Sequence, residues 1–377
     1  MIQNKKLRVI HVIWNAKFGG IEKLVFELAE EQNQQQTISA EVLIVKKEGE
    51  LLNQFKSGNF KSHFLNWKRA YTLSWHSYRN VVKLFKNYDV LHLHFFNPLL
   101  VIAMLFSKKQ IVYTEHGNFG FGRKKKMSDR LLFFLKKRFL NRKDITLTFN
   151  SKFTKNHAEK TYNLSRNISG TVIYNGINLS LADCKTTTRS NQEKLEILKK
   201  QLAGQFVIGT SSRFVGFKRI DRLIRAFGKI AQPENSILLL VGDGVLMHEL
   251  KNLVKELNLE DRVVFTGFVE DIRSYQMLFN VCVFPSSMEP FGLVAVETLS
   301  IGKPTLVYQD GGGIVEIIDG ISKQDIVKNE NELITRINHY QNCEQSEYEI
   351  LERKKYANNF SIELMAKTLE TVYLKEF

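Results

Sequence analysis

Cysteine and proline are both scarce in this chain of 377 residues, which has three Cys (Cys184, Cys282 and Cys343) and five Pro. An odd number of widely spaced thiols excludes a disulfide framework and a Cys-rich zinc site. Little proline, 44% hydrophobic residues and 25% charged residues together exclude a disordered, collagenous or low-complexity protein. Long apolar runs are missing too. The longest, Leu99 to Phe106, falls short of the roughly 20 residues a helix needs to cross a bilayer. The opening MIQNKKLRVIHVIW has no apolar stretch ending in small residues, so no secretory signal is expected. No G-x-G-x-x-G opens a strand, turn and helix, which disfavours a dinucleotide-dependent dehydrogenase. These absences leave a soluble reducing-compartment protein of two α/β lobes.

Charge is abundant but lopsided. Residues 1–180 hold 30 Lys and Arg against 12 Asp and Glu, whereas residues 181–377 hold 24 against 27. The whole excess of +15 therefore sits in the first half, as expected of a lobe that meets a polyanion, either nucleic acid or an anionic membrane.

Short apolar strands alternate with helical stretches along the chain. LRVIHVI (7–13), AEVLIVK (40–46), DVLHLHF (89–95), IVYTE (111–115), ITLTFNS (145–151) and GTVIYNGI (170–177) read as strands. A second series runs through 206–211, 236–241, 262–266, 281–285 and 304–307. Repeated strand–helix–strand units predict parallel sheets. The expected organisation is a domain over 1–180, a polar linker with a short helix over 181–204, a second domain over 205–359 and an amphipathic helix over 360–377. Ligands of such sheets sit at the carboxyl ends of the strands, so a cleft between the lobes is the expected site.

Within PSSMEPFGLVAVETLSIGKP (285–304), a strand ends at Pro285 and a Gly-containing turn exposes the amides of Phe291, Gly292 and Leu293. A helix follows. Free amides and a helix N-terminus favour a phosphate or an array of sugar hydroxyls. Glu289 and Glu297 add carboxylates suited to a vicinal diol, although two Glu eight apart are common by themselves. Upstream, Arg213 and Lys218 flank a turn at Gly216, where two cations would neutralise a diphosphate. Solvated surface charge is the plain alternative. Arg219, Arg222 and Arg225 read as the exposed face of the next helix. His92 and His94 read as alternating packing on a strand rather than as metal ligands.

The ordered set S-x-R-x-x-x-x-K (211–218), VGDG (241–244), DRVVFTGFV (261–269), EPFGLVAVE (289–297) and GGGIVEII (311–318) resembles the family 4 retaining glycosyltransferases. FGGIEK (18–23), TEHG (114–117) and YNGIN (174–178) extend the resemblance more loosely to the first half. It implies the GT-B fold: two Rossmann-like lobes facing a central cleft, with the C-terminal helix crossing back to the N-terminal lobe. By resemblance, Arg213 and Lys218 hold the nucleotide diphosphate, Glu297 the ribose hydroxyls and Glu289 the donor sugar, with the amides of Phe291, Gly292 and Leu293. Gly19 and Gly20 would pack their backbone against the donor phosphates, where only Gly permits the approach. Val269 would bracket the base, and His116 would lie near donor sugar and acceptor. The third glycine, Gly311 to Gly313 against the usual two, departs from the pattern and leaves Glu316 as a structural or base-side residue.

The resemblance further implies front-face displacement with retention, the leaving phosphate accepting the acceptor's proton. No Asp-x-Asp occurs anywhere in the chain, so no essential metal and no other cofactor are expected. The donor is expected to be a nucleotide-sugar, a uridine diphosphate sugar on family frequency. Residues 123–143 hold ten Lys and Arg against Asp129 alone, interleaved with Leu131, Leu132, Leu135 and Phe139. Such a basic amphipathic stretch suits an anionic membrane surface, through Arg123, Lys124, Lys125, Lys126, Arg130, Lys136, Lys137 and Arg138. A lipid-linked saccharide acceptor, a place on the cytoplasmic face of the membrane and no nucleic-acid partner are the corresponding expectations. A soluble acceptor, a nucleotide-sugar epimerase and a non-enzymatic polyanion binder are the alternatives.

Overall fold

A computed structural model describes residues 6–35, 37–65, 67, 75–117, 127–165, 170–180, 189–230 and 235–375. Arg123, Lys124, Lys125, Lys126 and Cys184 lie outside them. The chain divides into two compact units, Met1–Asn178 with Phe360–Phe377, and Leu179–Asn359.

The first unit is a parallel sheet of β1 (Leu7–Ile13), β2 (Ile38–Ile44), β3 (Ser62–Phe64), β4 (Val90–Leu93), β5 (Gln110–Glu115), β6 (Thr146–Phe149) and β7 (Thr171–Val172). Its spatial order is β3-β2-β1-β4-β5-β6-β7. The strands are rich in Val, Ile and Leu because both faces are covered. On β1, Val9 and Ile13 enter one core, with Leu24 and Leu28 of the helix Gly20–Gln34 and Met365, Leu369 and Tyr373 of the helix Ile362–Leu374. Ile10 and Val12 enter the opposite core with Phe85, Leu100 and Met104. The C-terminal helix thus belongs to the first unit, and Ile177 and Ser361 form a bridge where the chain returns to it.

The second unit repeats the plan with β8 (Phe206–Ser211), β9 (Ser236–Val241), β10 (Val263–Gly267), β11 (Val281–Phe284), β12 (Thr305–Tyr308) and β13 (Ile326–Val327), ordered β10-β9-β8-β11-β12-β13. In both sheets the chain winds outward one way and then the other, so the order reverses between β1 and β4 and between β8 and β11. Loops leaving such a pair of strands diverge and open a crevice at their carboxyl ends.

Candidate functional site

The crevice of the second unit gathers most of the expected donor-binding residues. After β8 the chain passes Ser212 and Arg213 into a 3-10 turn, Gly216–Lys218, and the helix Ile220–Phe227. The VGDG turn holds that loop in place. Ser212 and Phe214 donate their amides to the carbonyls of Val241 (3.0 Å) and Asp243 (2.8 Å). Gly242 has φ 131°, and a Cβ there would lie 2.0 Å from the Ser212 carbonyl oxygen, so only glycine fits. Arg213 is exposed, whereas Lys218 is buried.

After β11, residues 287–289 run between two neighbours. Ser287 donates to the Phe217 carbonyl, and Met288 and Glu289 donate to those of Asp310 and Gly311. Gly312 has φ 78° and ψ −131°, a conformation open essentially to glycine, and its neighbour Gly313 donates its amide back to Glu289. The extra glycine of the motif is therefore part of the lacing that fixes Glu289. Met288 has φ 54°, strained for a side-chain-bearing residue.

This lacing brings Lys218 and Glu289 together. Lys218 Nζ donates to both carboxylate oxygens, at 2.6 and 2.7 Å, and both side chains are about nine-tenths buried. The amides of Phe291, Gly292 and Leu293 lead into the helix Leu293–Ser300, whose N-cap is Gly292. Glu297, half-buried on this helix, accepts from Gln276 Nε2 at 3.1 Å, and the same nitrogen donates to Ser211 Oγ at 2.9 Å. Gln276, fully buried, was not legible as a site residue from sequence. Val269 lies just beyond β10. Arg222 is not simply on an exposed face: its guanidinium forms a two-pronged bond to Asp310 at 2.8 Å, which holds that carboxyl below its usual range.

In the first unit, Gly19 precedes the helix Gly20–Gln34 in extended backbone, φ −157°, which any residue adopts. A Cβ there would meet only the carboxylate end of Glu22, so the fold itself imposes no glycine at this position.

His116 follows β5 and is buried. Residues 92 and 94 are two apart on an extended segment and so share one face. Opposite His92 in the ladder stands His11. His116 Nε2 lies 3.0 Å from His94 Nδ1, His94 Nε2 lies 3.0 Å from His11 Nδ1, and His11 Nε2 lies 2.8 Å from Gln32 Oε1. His92 bonds Tyr373 and Thr114, each at 2.7 Å. Burial lowers His11 and His116 to about 4, and His92 and His94 well below the ordinary value, so all four rings are neutral at pH 7. Ring nitrogens of His11, His92 and His94 lie within 4.8 Å of one another, close enough to ligate a metal. Each of those nitrogens is already hydrogen-bonded, so a cation would have to displace bonds already made.

The helix Met127–Leu140 carries most of the described part of the basic stretch, with Arg142 and Lys143 just beyond it. Arg130 and Arg138 are exposed and Lys137 is half-buried. Lys136 is a correction: it turns inward to Glu115 at 2.5 Å and lies 5.0 Å above the Tyr162 ring. Burial opposes both charges, but the attraction of Glu115 and the neighbouring phenol oxygens outweighs it and holds the ammonium well above its ordinary value. Met127, Leu131, Phe133 and Phe134 are exposed on this helix, as are Ile102 and Phe106 on the adjoining helix Pro98–Ser107.

Residues 192–358 match the family model Glycosyl transferases group 1, and residues 18–181 match Glycosyltransferase Family 4. The chain is 36% identical over 107 residues to N-acetyl-alpha-D-glucosaminyl L-malate synthase of Bacillus anthracis, covering 28% of each chain. It is 39% identical over 110 residues to the lipopolysaccharide core biosynthesis glycosyltransferase LpsD of Rhizobium meliloti, covering 29% of this chain and 31% of that one. Both alignments thus span about three-tenths of the relative's length. The structure of HepE from Anabaena, in complex with UDP and glucose, superimposes with a TM-score of 0.77 at 22% identity, covering 97% of this chain and 99% of HepE. That likeness shows the GT-B fold, with its two Rossmann-like domains. With one glycosyltransferase model over each half and this fold throughout, the chain belongs to the family 4 glycosyltransferases.

Proposed function

We propose that the chain is a retaining glycosyltransferase that moves a sugar from a uridine diphosphate donor to a lipid-linked saccharide at an anionic membrane surface. The observation that carries the donor half is the buried Lys218–Glu289 pair beside Arg213 and the Gly292 helix N-terminus, all at the β8/β11 crevice. Arg213 supplies positive charge, Lys218 keeps one ammonium hydrogen beyond its two bonds to Glu289 although that carboxylate offsets its charge, and the amides of Phe291, Gly292 and Leu293 supply donors with no counter-charge. Such a set stabilises the negative charge that grows on a departing diphosphate. Glu297 accepts from the ribose hydroxyls and Glu289 from the donor sugar, through a lone pair left beside its bonds to Lys218. Val269 borders the base, and, as the family resemblance implies, the backbone of Gly19 and Gly20 packs against the donor phosphates. His116 serves the reacting sugar. The leaving phosphate takes the acceptor's proton, and no metal is required.

The acceptor half rests on the exposed apolar residues of two adjoining helices interleaved with Arg130, Lys137 and Arg138. Each surface cation near an anionic bilayer contributes about 1 kcal/mol. LpsD, by its name, serves lipopolysaccharide core biosynthesis, which supports a lipid-linked saccharide as acceptor; the basic and apolar helix face supports the cytoplasmic membrane face as the place of reaction.

The test is a binding and slow-hydrolysis screen of the purified chain against UDP-, GDP-, ADP-, CMP- and dTDP-sugars with EDTA present. Binding of a UDP-sugar without metal is the expected result; no affinity for any sugar nucleotide would overturn the reading. Sedimentation with anionic and neutral vesicles across salt tests the membrane surface, with salt-sensitive pelleting expected only with the anionic ones.

A further inference from the structure

The polar chain buried against the first sheet has a direction, and the direction ends at His116. His11, Gln32, His92, His94, Thr114, Thr148 and Tyr373 form it, linked across one sheet face and the two helices that cover it. Its polarity is assigned from the network, starting at a group that only accepts. Thr148 Oγ1 reaches the main-chain carbonyl of Tyr113 by a long contact of 3.5 Å and lies 2.6 Å from Thr114 Oγ1. With Thr148 donating to the carbonyl, Thr114 donates to Thr148, His92 Nε2–H donates to Thr114, and Tyr373 O–H donates to His92 Nδ1. The Tyr373 oxygen then has lone pairs to offer Gln32, whose side chain opposes the upward push that burial gives the Tyr373 phenol. The Gln32 amide nitrogen is buried and hydrogen-bonded to no described residue, so the polarity of the histidine chain rests on the other end of the same amide. Its Oε1, a group that only accepts, faces His11 Nε2 at 2.8 Å.

From there each step is forced, because a neutral imidazole carries one donor and one acceptor. His11 donates from Nε2 to Gln32 and accepts at Nδ1; His94 donates from Nε2 to His11 and accepts at Nδ1; His116 donates from Nε2 to His94. The last ring is left with a bare Nδ1. That atom is buried and without a hydrogen-bond partner among the described residues. A buried acceptor left unmet is unfavourable, and a ligand donor would relieve it.

We propose that Gln32 is a positioning residue: acting through His11 and His94, it fixes His116 as the Nε2–H tautomer, so that Nδ1 meets a ligand as an acceptor only and selects a hydroxyl there. That this hydroxyl belongs to a sugar rests on the transferase reading; the tautomer does not.

Histidine ring nitrogens in the full-length, ligand-free chain are read by nitrogen-15 NMR, with His116→Asn used to assign the His116 signals. The expected spectrum shows His116 with a proton on Nε2 and none on Nδ1, and the reverse would overturn the polarity whatever the enzyme does. In Gln32→Met an Nδ1–H population of His116 appears, and in Gln32→Glu, which keeps an acceptor facing His11, it does not. An unchanged His116 tautomer in folded Gln32→Met would overturn the role of Gln32. If Gln32→Met fails to fold, an Nδ1–H signal in Gln32→Glu would do the same. With the bound donor, equal tautomer populations in Gln32→Met lower kcat/KM about twofold, through KM. A chain with the expected tautomer that binds no sugar nucleotide would remove the transferase reading and leave the relay standing.

Discussion

Lys218 and Glu289 neutralise each other away from water, so neither can be tested by removing it alone. Glu289→Ala leaves a buried ammonium without its partner, and a loss of about 3–5 kcal/mol of folding stability is expected beside the loss of activity. The double variant Lys218→Met/Glu289→Leu replaces the pair with apolar volume. It should recover most of the stability in denaturant titrations while remaining inactive. Recovery of activity along with stability would show that the pair only holds the fold. Glu297 is half-buried and its carboxylate accepts from Gln276 alone among the bonds described, so Glu297→Ala is a cleaner probe. It should weaken donor binding by roughly 1–3 kcal/mol, read by calorimetry, with little change in melting temperature.

At the scale of elements, one contact decides how the helix Met127–Leu140 presents its charge. Lys136 is tied to Glu115 at the end of β5, and this turns the ammonium inward while Arg130 and Arg138 remain outward. Lys136→Met is expected to destabilise the chain by about 3–5 kcal/mol, because Glu115 is left buried and unpaired. Arg130→Ala and Arg138→Ala should leave the melting temperature within a degree or two and reduce pelleting with anionic vesicles. Equal loss of vesicle binding in all three variants would contradict the division between an inward and an outward cation. The loop after β8 is set by packing in the same way: Gly242→Ala pushes a Cβ onto the Ser212 carbonyl, so it should impair donor binding through the displaced Arg213 loop, as measured by donor Kd.

At the scale of the molecule, the neutral histidines make the fold sensitive to acid. In the unfolded chain each ring takes up a proton near 6.5, whereas in the folded chain His11 and His116 stay neutral down to about 4. Between those values the unfolded state binds more protons, so stability is complete above 6.5 and falls as pH drops toward 4. The slope is at most about 1.4 kcal/mol per pH unit for each ring. Thermal melts at pH 7.5, 6 and 5 should show a progressive loss, and a flat profile would contradict the buried neutral cluster.

The strand periodicity of both halves, the order of the motifs and the Gly-bounded turns were legible in sequence because they are local: β-branched runs, a glycine at a required backbone conformation, a cation after a strand. The spacing His92-x-His94 also carried its message, since positions two apart on a strand face the same way. The short strands Ser62–Phe64 and Ile326–Val327 were not legible, having too few residues to show a period.

Sequence alone therefore determined the two α/β units and the residue types at the β8/β11 crevice. Tertiary structure decided the partners: Lys218 with Glu289, Glu297 with Gln276, Lys136 with Glu115, and Gln32 with His11. Each pair is joined by the meeting of separate strands and helices 21 or more residues apart, at distances that no local propensity encodes.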